Sequence, residues 1–134
     1  MILINQRDRR PIYEQIAEKL SDLMARGVLK QDAPLPSVRA LATELSINPN
    51  TVQRAYLELE REGCIYSVKG RGSFVAAVQQ IRDKKREAVF LDLAALVTRG
   101  HAAGITEEEF TGQVHILFHT ARQTEYIEKG VSHD

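Results

Sequence analysis

Between Ser37 and Ser73 the chain carries side chains able to bond base edges and phosphates. Asn48, Asn50, Thr51, Gln53 and Arg54 crowd into one stretch, Asn48-Pro-Asn-Thr-Val-Gln-Arg-Ala-Tyr56. Asn and Gln can bond bidentately to adenine, and Arg to guanine, across the major groove of duplex DNA. Ser37 and Arg39 precede this stretch, and Lys69-Gly-Arg-Gly-Ser73 follows it. An arginine between Gly70 and Gly72 suits a minor groove, where narrow A·T tracts concentrate negative potential. Lys69 and Ser73 would flank Arg71 on phosphates. Each residue also has a plain reading. Asn48, Asn50 and Thr51 can be helix caps, Arg54 can pair with Glu58 one turn on, Arg61 can be a solvated charge, and Lys69 and Arg71 can keep a hairpin soluble. Their joint spacing favours duplex DNA.

The elements needed to present these groups are legible around them. Ser37 is a good N-cap for a helix over 38–45, with Val38, Leu41, Ala42 and Leu45 on one face. Ser46 and Ile47 make a turn. A further helix opens at Asn48 as N-cap with Pro49 at its first position, and ends at Glu62-Gly63. Its apolar face is Val52, Ala55, Tyr56 and Leu59, and its other side carries Asn50, Gln53, Arg54 and Arg61, with Thr51 at the margin. Leu57 fits no stripe. Two helices joined by so short a turn have helix-turn-helix spacing. The first of such a pair usually crosses the phosphates, which suits Ser37 and Arg39. A helix N-terminus also favours a phosphate.

Ile65-Tyr-Ser-Val68 and Ser73-Phe-Val75 are strand-like, and Gly70 and Gly72 permit the positive φ of a tight hairpin. Upstream, 11–26 reads as a helix with Pro11 in its first turn, an apolar stripe of Ile12, Ile16, Leu20, Leu23 and Met24, and Gly27 as its stop. Pro34 and Pro36 mark 28–36 as a connector. The expectation is a winged helix-turn-helix of three helices plus a two-stranded wing.

Beyond Ala76 the pattern is purely helical. Residues 79–103 begin with charges and continue with Val89, Phe90, Leu91, Leu93, Ala94, Leu96 and Val97. Gly104 breaks the run. Thr106 and Glu109 form a capping box, with Ile105 and Phe110 placed as a hydrophobic staple. A second helix follows over 107–122, and the last dozen polar residues are expected to fray. Two helices alone cannot bury Phe90, Leu93, Leu96, Val97, Phe110, Val114, Leu117 and Phe118, so a second copy or the first helix must cover them. The predicted fold class is α+β: a DNA-binding domain over 1–76 and a small all-α two-helix dimerisation tail over 77–134.

Composition sets limits rather than direction. The 134 residues carry no net charge, and 43% are hydrophobic, as in ordinary soluble domains. Residues 1–76 hold 11 Lys and Arg against 9 Asp and Glu, and the remainder 7 against 9. The basic groups must act by placement rather than bulk field. The single Cys64 excludes an internal disulfide and reads as a small buried group. Met1-Ile-Leu-Ile4 is too short for a signal-peptide core, and no apolar run could span a bilayer, so a cytoplasmic protein with no membrane partner is expected. His115 and His119 stand one turn apart, a spacing that can hold a metal, but no third ligand is evident; Glu108 reads as a first-turn dipole partner. No catalytic constellation is arguable, so neither an enzyme nor a cofactor is expected. RNA is disfavoured, because its major groove is too narrow for side chains to read.

Leu35-Pro-Ser-Val-Arg39, Leu41-Ala42, Asn48-Pro-Asn-Thr-Val52, Arg54-Ala-Tyr56, Leu59-Glu60, Glu62-Gly63, Gly70-Arg-Gly72 and Phe74-Val75 together resemble the DNA-binding domain of GntR-family transcription regulators. Pro11-Ile-Tyr-Glu-Gln-Ile16 is similar to that family's first helix. The resemblance implies a homodimeric, usually repressing regulator on a palindromic operator. By motif position it implies helix contacts from Ser37, Arg39, Asn50, Thr51, Gln53 and Arg54, and wing contacts from Lys69, Gly70 and Arg71. Asp32-Ala-Pro34 departs from the family's glycine-containing turn. The short tail resembles the YtrA subfamily, often associated with ABC-type transporter operons. An effector or metal response at the tail's dimer interface is the alternative, with any small-molecule effector unknown.

Overall fold

The computed structural model describes residues 4, 5 and 7–132, with side chains described to Thr124; Met1 to Leu3 of the apolar opening lie outside it. The elements in chain order are α1 (Ile12–Ala25), α2 (Val38–Leu45), α3 (Pro49–Arg61), β1 (Ile65–Val68), β2 (Gly72–Val75), α4 (Val78–Ala102) and α5 (Glu107–Ser132). The chain forms two compact units that divide between Ala88 and Val89.

In the first unit, Ile16, Leu20 and Met24 recur one turn apart on α1 and are almost wholly buried. They meet Leu41 of α2, Val52, Ala55 and Leu59 of α3, and Val75 of β2 in one core. Each large side chain so buried contributes about 1.5–3 kcal/mol. Pro11 stands one position outside the first turn: its ψ of 147° is extended, and its carbonyl accepts the N–H groups of Glu14 and Gln15. Buried Gln15 is satisfied, accepting the Asn5 N–H at 3.1 Å and donating to the Arg10 carbonyl at 3.1 Å.

β1 and β2 pair antiparallel, Ile65 opposite Val75 and Val68 opposite Gly72. The connector is more than a connector. Leu35 N–H donates to the Ser73 carbonyl, Val75 N–H to that of Ala33, and Asp32 N–H to that of Val75, with Pro34 bridged to Phe74. A third short edge thus lines β2, which the sequence reading omits. Pro34 is tolerated there because an edge position needs no N–H from it. Asp32 stands at φ +65°, a left-handed conformation that Asp tolerates, and accepts the Tyr66 hydroxyl at 2.8 Å. The departure from a glycine therefore preserves the turn.

α4 starts inside the first unit. Ile81 is 3% exposed in the same core. Arg82 donates twice to the Ala25 carbonyl, at 3.0 and 2.8 Å, Lys84 Nζ donates to the Glu62 carbonyl at 2.9 Å, and Lys85 pairs with Asp22 at 2.7 Å. Cations thus sit on carbonyls at the C-terminal ends of α1 and α3, where the helix dipole favours them. The division between units accordingly falls within α4, later than the sequence boundary at Ala76.

In the second unit the expected capping box is present: Thr106 N–H donates to Glu109 Oε1 at 3.0 Å, and Glu109 N–H to Thr106 Oγ1 at 3.2 Å. Gly104, at φ +82°, supplies the turn between α4 and α5. The Phe110 ring fills the space that a Cβ on Gly100 would need. α5 runs on to Ser132, past the end expected at Arg122. Polarity suggests fraying there, but the helix continues through Gln123 to Lys129, which holds neither Gly nor Pro, and takes in Gly130 against its propensity. Among the described residues no helix is long and apolar enough to cross a membrane.

Candidate nucleic-acid interface

The first unit presents α2 and α3 through caps encoded locally. Ser37 Oγ accepts the Ala40 N–H at 3.1 Å, opening α2 and leaving the hydroxyl proton to donate elsewhere. Ser46, at φ +56°, closes α2 and begins the turn. Asn48 Oδ1 accepts the Asn50 N–H at 2.8 Å, and Pro49 follows at the first helical position, where no N–H is needed.

Val52, Ala55 and Leu59 are wholly buried and Tyr56 is 5% exposed, so one side of α3 is committed to the core. At 100° per residue the outward arc carries Asn50, Gln53, Arg54, Leu57 and Arg61, all exposed, with Thr51 half-buried at its edge. Leu57, which fits no apolar stripe, is 56% exposed on that arc. Arg39 and Ser37 are exposed at the start of α2. Among the described residues, no side-chain hydrogen bond or ion pair engages Arg39, Asn50, Gln53, Lys69 or Arg71.

Arg54 does not pair with Glu58. Its guanidinium carbon lies 4.0 Å from the ring centroid of Tyr13 on α1. Glu58 is taken instead by Arg61, through Nε at 3.2 Å and a closer contact from Nη2. The Arg61 guanidinium holds the Glu58 carboxyl below its ordinary range, while burial raises that of Glu62. Tyr13 is the residue the sequence reading missed. It lies off the Ile12–Ile16–Leu20 stripe, and nothing local signals a partner on another helix.

The wing is a tight turn, with Arg71 N–H donating to the Val68 carbonyl at 2.9 Å. Gly70, at φ +80°, occupies the second central position, as a type II turn requires, and Gly72 follows at φ +106°. Lys69, Gly70, Arg71 and Gly72 are exposed and Ser73 is half-buried. Cys64 N–H donates to the Leu59 carbonyl at 2.8 Å, joining the wing to the end of α3. Burial pushes the Cys64 thiol up, which disfavours the reactive thiolate.

In the second unit Phe90, Leu93, Leu96, Val97, Val114, Leu117 and Phe118 are all exposed, Phe118 by 59%, and Phe110 is half-buried. Val89, Leu91 and Ile116, outside the expected face, are exposed as well. His119 Nε2 lies 3.2 Å from Gln123 Nε2. Among the described residues no three His, Cys, Asp or Glu side chains gather around a common point.

Residues 12–75 match the profile described as bacterial regulatory proteins, gntR family. The HTH-type transcriptional repressor YtrA of Bacillus subtilis (strain 168) is 41% identical over 111 residues, which is 81% of this chain and 85% of that protein. The crystal structure of a transcriptional regulator from Oenococcus oeni superposes with a TM-score of 0.74 at 28% identity, covering 88% of this chain and 99% of that one. The AraR DNA-binding domain in complex with operator ORX1 superposes with a TM-score of 0.51 at 28% identity, covering 57% of this chain and 95% of that one. With so much of both chains aligned to YtrA and the motifs of the first unit matched, this chain belongs to the GntR family of bacterial regulatory proteins, in its YtrA subfamily.

Proposed function

We propose that the protein is a cytoplasmic, homodimeric repressor that binds a palindromic operator upstream of its own gene, in an operon that includes an ABC-type transporter. The outward arc of α3 carries the reading: Asn50 and Gln53 stand exposed beside a capped helix N-terminus, with no protein partner among the described residues. In this reading Asn50 and Gln53 meet base edges and Arg54 adds a further contact. Ser37, Arg39, Asn48 and Thr51 hold phosphates beside them. Arg71 enters the flanking minor groove, Lys69 and Ser73 grip the backbone, and Gly70 and Gly72 let the wing approach closely.

The exposed apolar face of α4 and α5 supports the dimer, since such a face is costly in water. A groove of about 560 Å³ lies on it, lined by Leu96, Ile105, Phe110, Val114 and Leu117 among others. A second copy's apolar side chains would fill that groove, so we assign it to the dimer rather than to an effector. Two-fold symmetry would put the two α3 helices on half-sites about 34 Å apart.

Footprinting on the gene's upstream DNA, with sedimentation of the free protein, tests this reading. A protected palindrome, affinity falling steeply with salt, and a dimer are the expected results. Binding no tighter there than to random duplex would refute it.

A further inference from the structure

We infer that Tyr13 is a positioning residue that holds Arg54 against α1 as a clamp on a DNA phosphate, so that Arg54 takes no part in choosing the operator's bases. The inference rests on the DNA-binding reading above and adds to it a residue of α1, outside the helix-turn-helix and wing. The 4.0 Å separation of the Arg54 guanidinium carbon from the Tyr13 centroid is the distance of a cation seated on a ring face. A guanidinium seated flat on a ring keeps its N–H donors at its edges, where an anion can meet them. The carboxylate one turn away, Glu58, is already bonded by Arg61, so it does not draw Arg54 off that platform.

Reach decides between base and phosphate. A bidentate contact to guanine needs the arginine extended from its helix toward the groove floor. Here the head group is turned onto a side chain of a neighbouring helix, which holds its fork at the flank of α3. A phosphate oxygen at the groove rim is the anionic partner for a fork in that place, and Arg suits it by geometry as well as charge. Base selection is left to Asn50 and Gln53, whose side chains no protein partner engages among the described residues. The ring is what matters in Tyr13, since its hydroxyl is directed elsewhere, donating to Glu14 Oε1 at 3.2 Å.

The test uses the full-length protein, the footprinted duplex, and a set of duplexes each altered at one base pair, titrated across salt. Arg54→Ala removes one clamp from each protomer of the dimer, so it should weaken binding by the same factor on every duplex and reduce the slope of log affinity against log salt by about 1.8, roughly 0.9 for each phosphate released. With the ring lost from both protomers, Tyr13→Leu should cost about 5- to 30-fold, again uniformly, and should lose nothing further in the Arg54→Ala background. Tyr13→Phe should match the wild type. Loss of preference at one particular base pair in Arg54→Ala would overturn the phosphate assignment. An equal loss from Tyr13→Leu with and without Arg54 would overturn the positioning role. Should Tyr13→Leu fail to fold, Tyr13→Met, which also lacks the ring, takes its place in the same cycle with Arg54→Ala. A wild type that does not prefer its upstream DNA would instead overturn the repressor reading itself.

Discussion

The Tyr56 hydroxyl donates a 2.7 Å hydrogen bond to the carbonyl of Pro36, tying the middle of α3 to the residue just before the N-cap of α2. Tyr56 is 5% exposed, and burial pushes its phenol up to about 12. One side chain therefore fixes the entry of α2 against the helix that carries the outward polar arc.

Replacing Tyr56 by Phe would leave the Pro36 carbonyl without that donor, at a cost of about 1 kcal/mol in urea unfolding at neutral pH. The pH dependence follows from the raised value. A phenol whose folded pKa exceeds its ordinary 10 contributes stability that is complete below pH 10 and lost as pH rises toward 12. The wild type's advantage over Tyr56→Phe should narrow across that window. An advantage that stays constant to pH 12 would show that the hydroxyl is not effectively desolvated.

Arg82 and Lys84 make a second kind of tie, bonding the carbonyls of Ala25 and Glu62 at the ends of α1 and α3. Arg82→Ala and Lys84→Ala should each lower the stability of the first unit by about 0.5–1.5 kcal/mol, as for an exposed cation bonded to one helix-end carbonyl and aided by the helix dipole. The losses should shrink in high salt. Denaturant titrations at two ionic strengths measure both effects.

These ties mark the limit of what the chain reveals when read along its length. Caps and stops were legible because their chemistry is local: Ser37 with Ala40, Asn48 with Asn50, and Thr106 with Glu109 lie within three residues of each other. The buried faces of α1 and α3 were legible from their period alone. By contrast, Arg82 meets Ala25 across 57 residues and Lys84 meets Glu62 across 22. A charge run looks the same in sequence whether it is solvated or caps another helix. The edge formed by Asp32 to Leu35 was hidden for a related reason, since prolines argue against strand, and only β2 alongside reveals the pairing. In the candidate interface the exposed polar arc was legible. The Tyr13 platform was not, because stacking between helices leaves no periodic trace.

In the wing, Gly70 stands at φ +80° with nothing within 4 Å of where a Cβ would project. Gly70→Ala should therefore cost only backbone strain, about 1–2 kcal/mol, and Gly70→Asn less, because Asn enters the left-handed region more readily. Thermal unfolding of the two variants separates strain from crowding. Equal losses would mean that an unseen neighbour, rather than φ, limits the site.

Gly100 presents the opposite case, since its backbone is helical and the obstacle is a side chain: the Phe110 ring already occupies the Cβ position. Two effects oppose each other when Gly100 becomes Ala. Helix propensity favours Ala by about 1 kcal/mol, while overpacking against a held ring costs about 1–3 kcal/mol. The steric term should prevail, so Gly100→Ala should be neutral to about 2 kcal/mol destabilising on these figures. Removing the ring removes the steric term but not the propensity. In a Phe110→Ala background the same substitution should therefore stabilise, by up to about 1 kcal/mol. Helical circular dichroism followed through urea, on the four proteins of this cycle, reads the change of sign directly. A destabilisation that persists without the ring would mean that something other than Phe110 holds α4 and α5 at their junction.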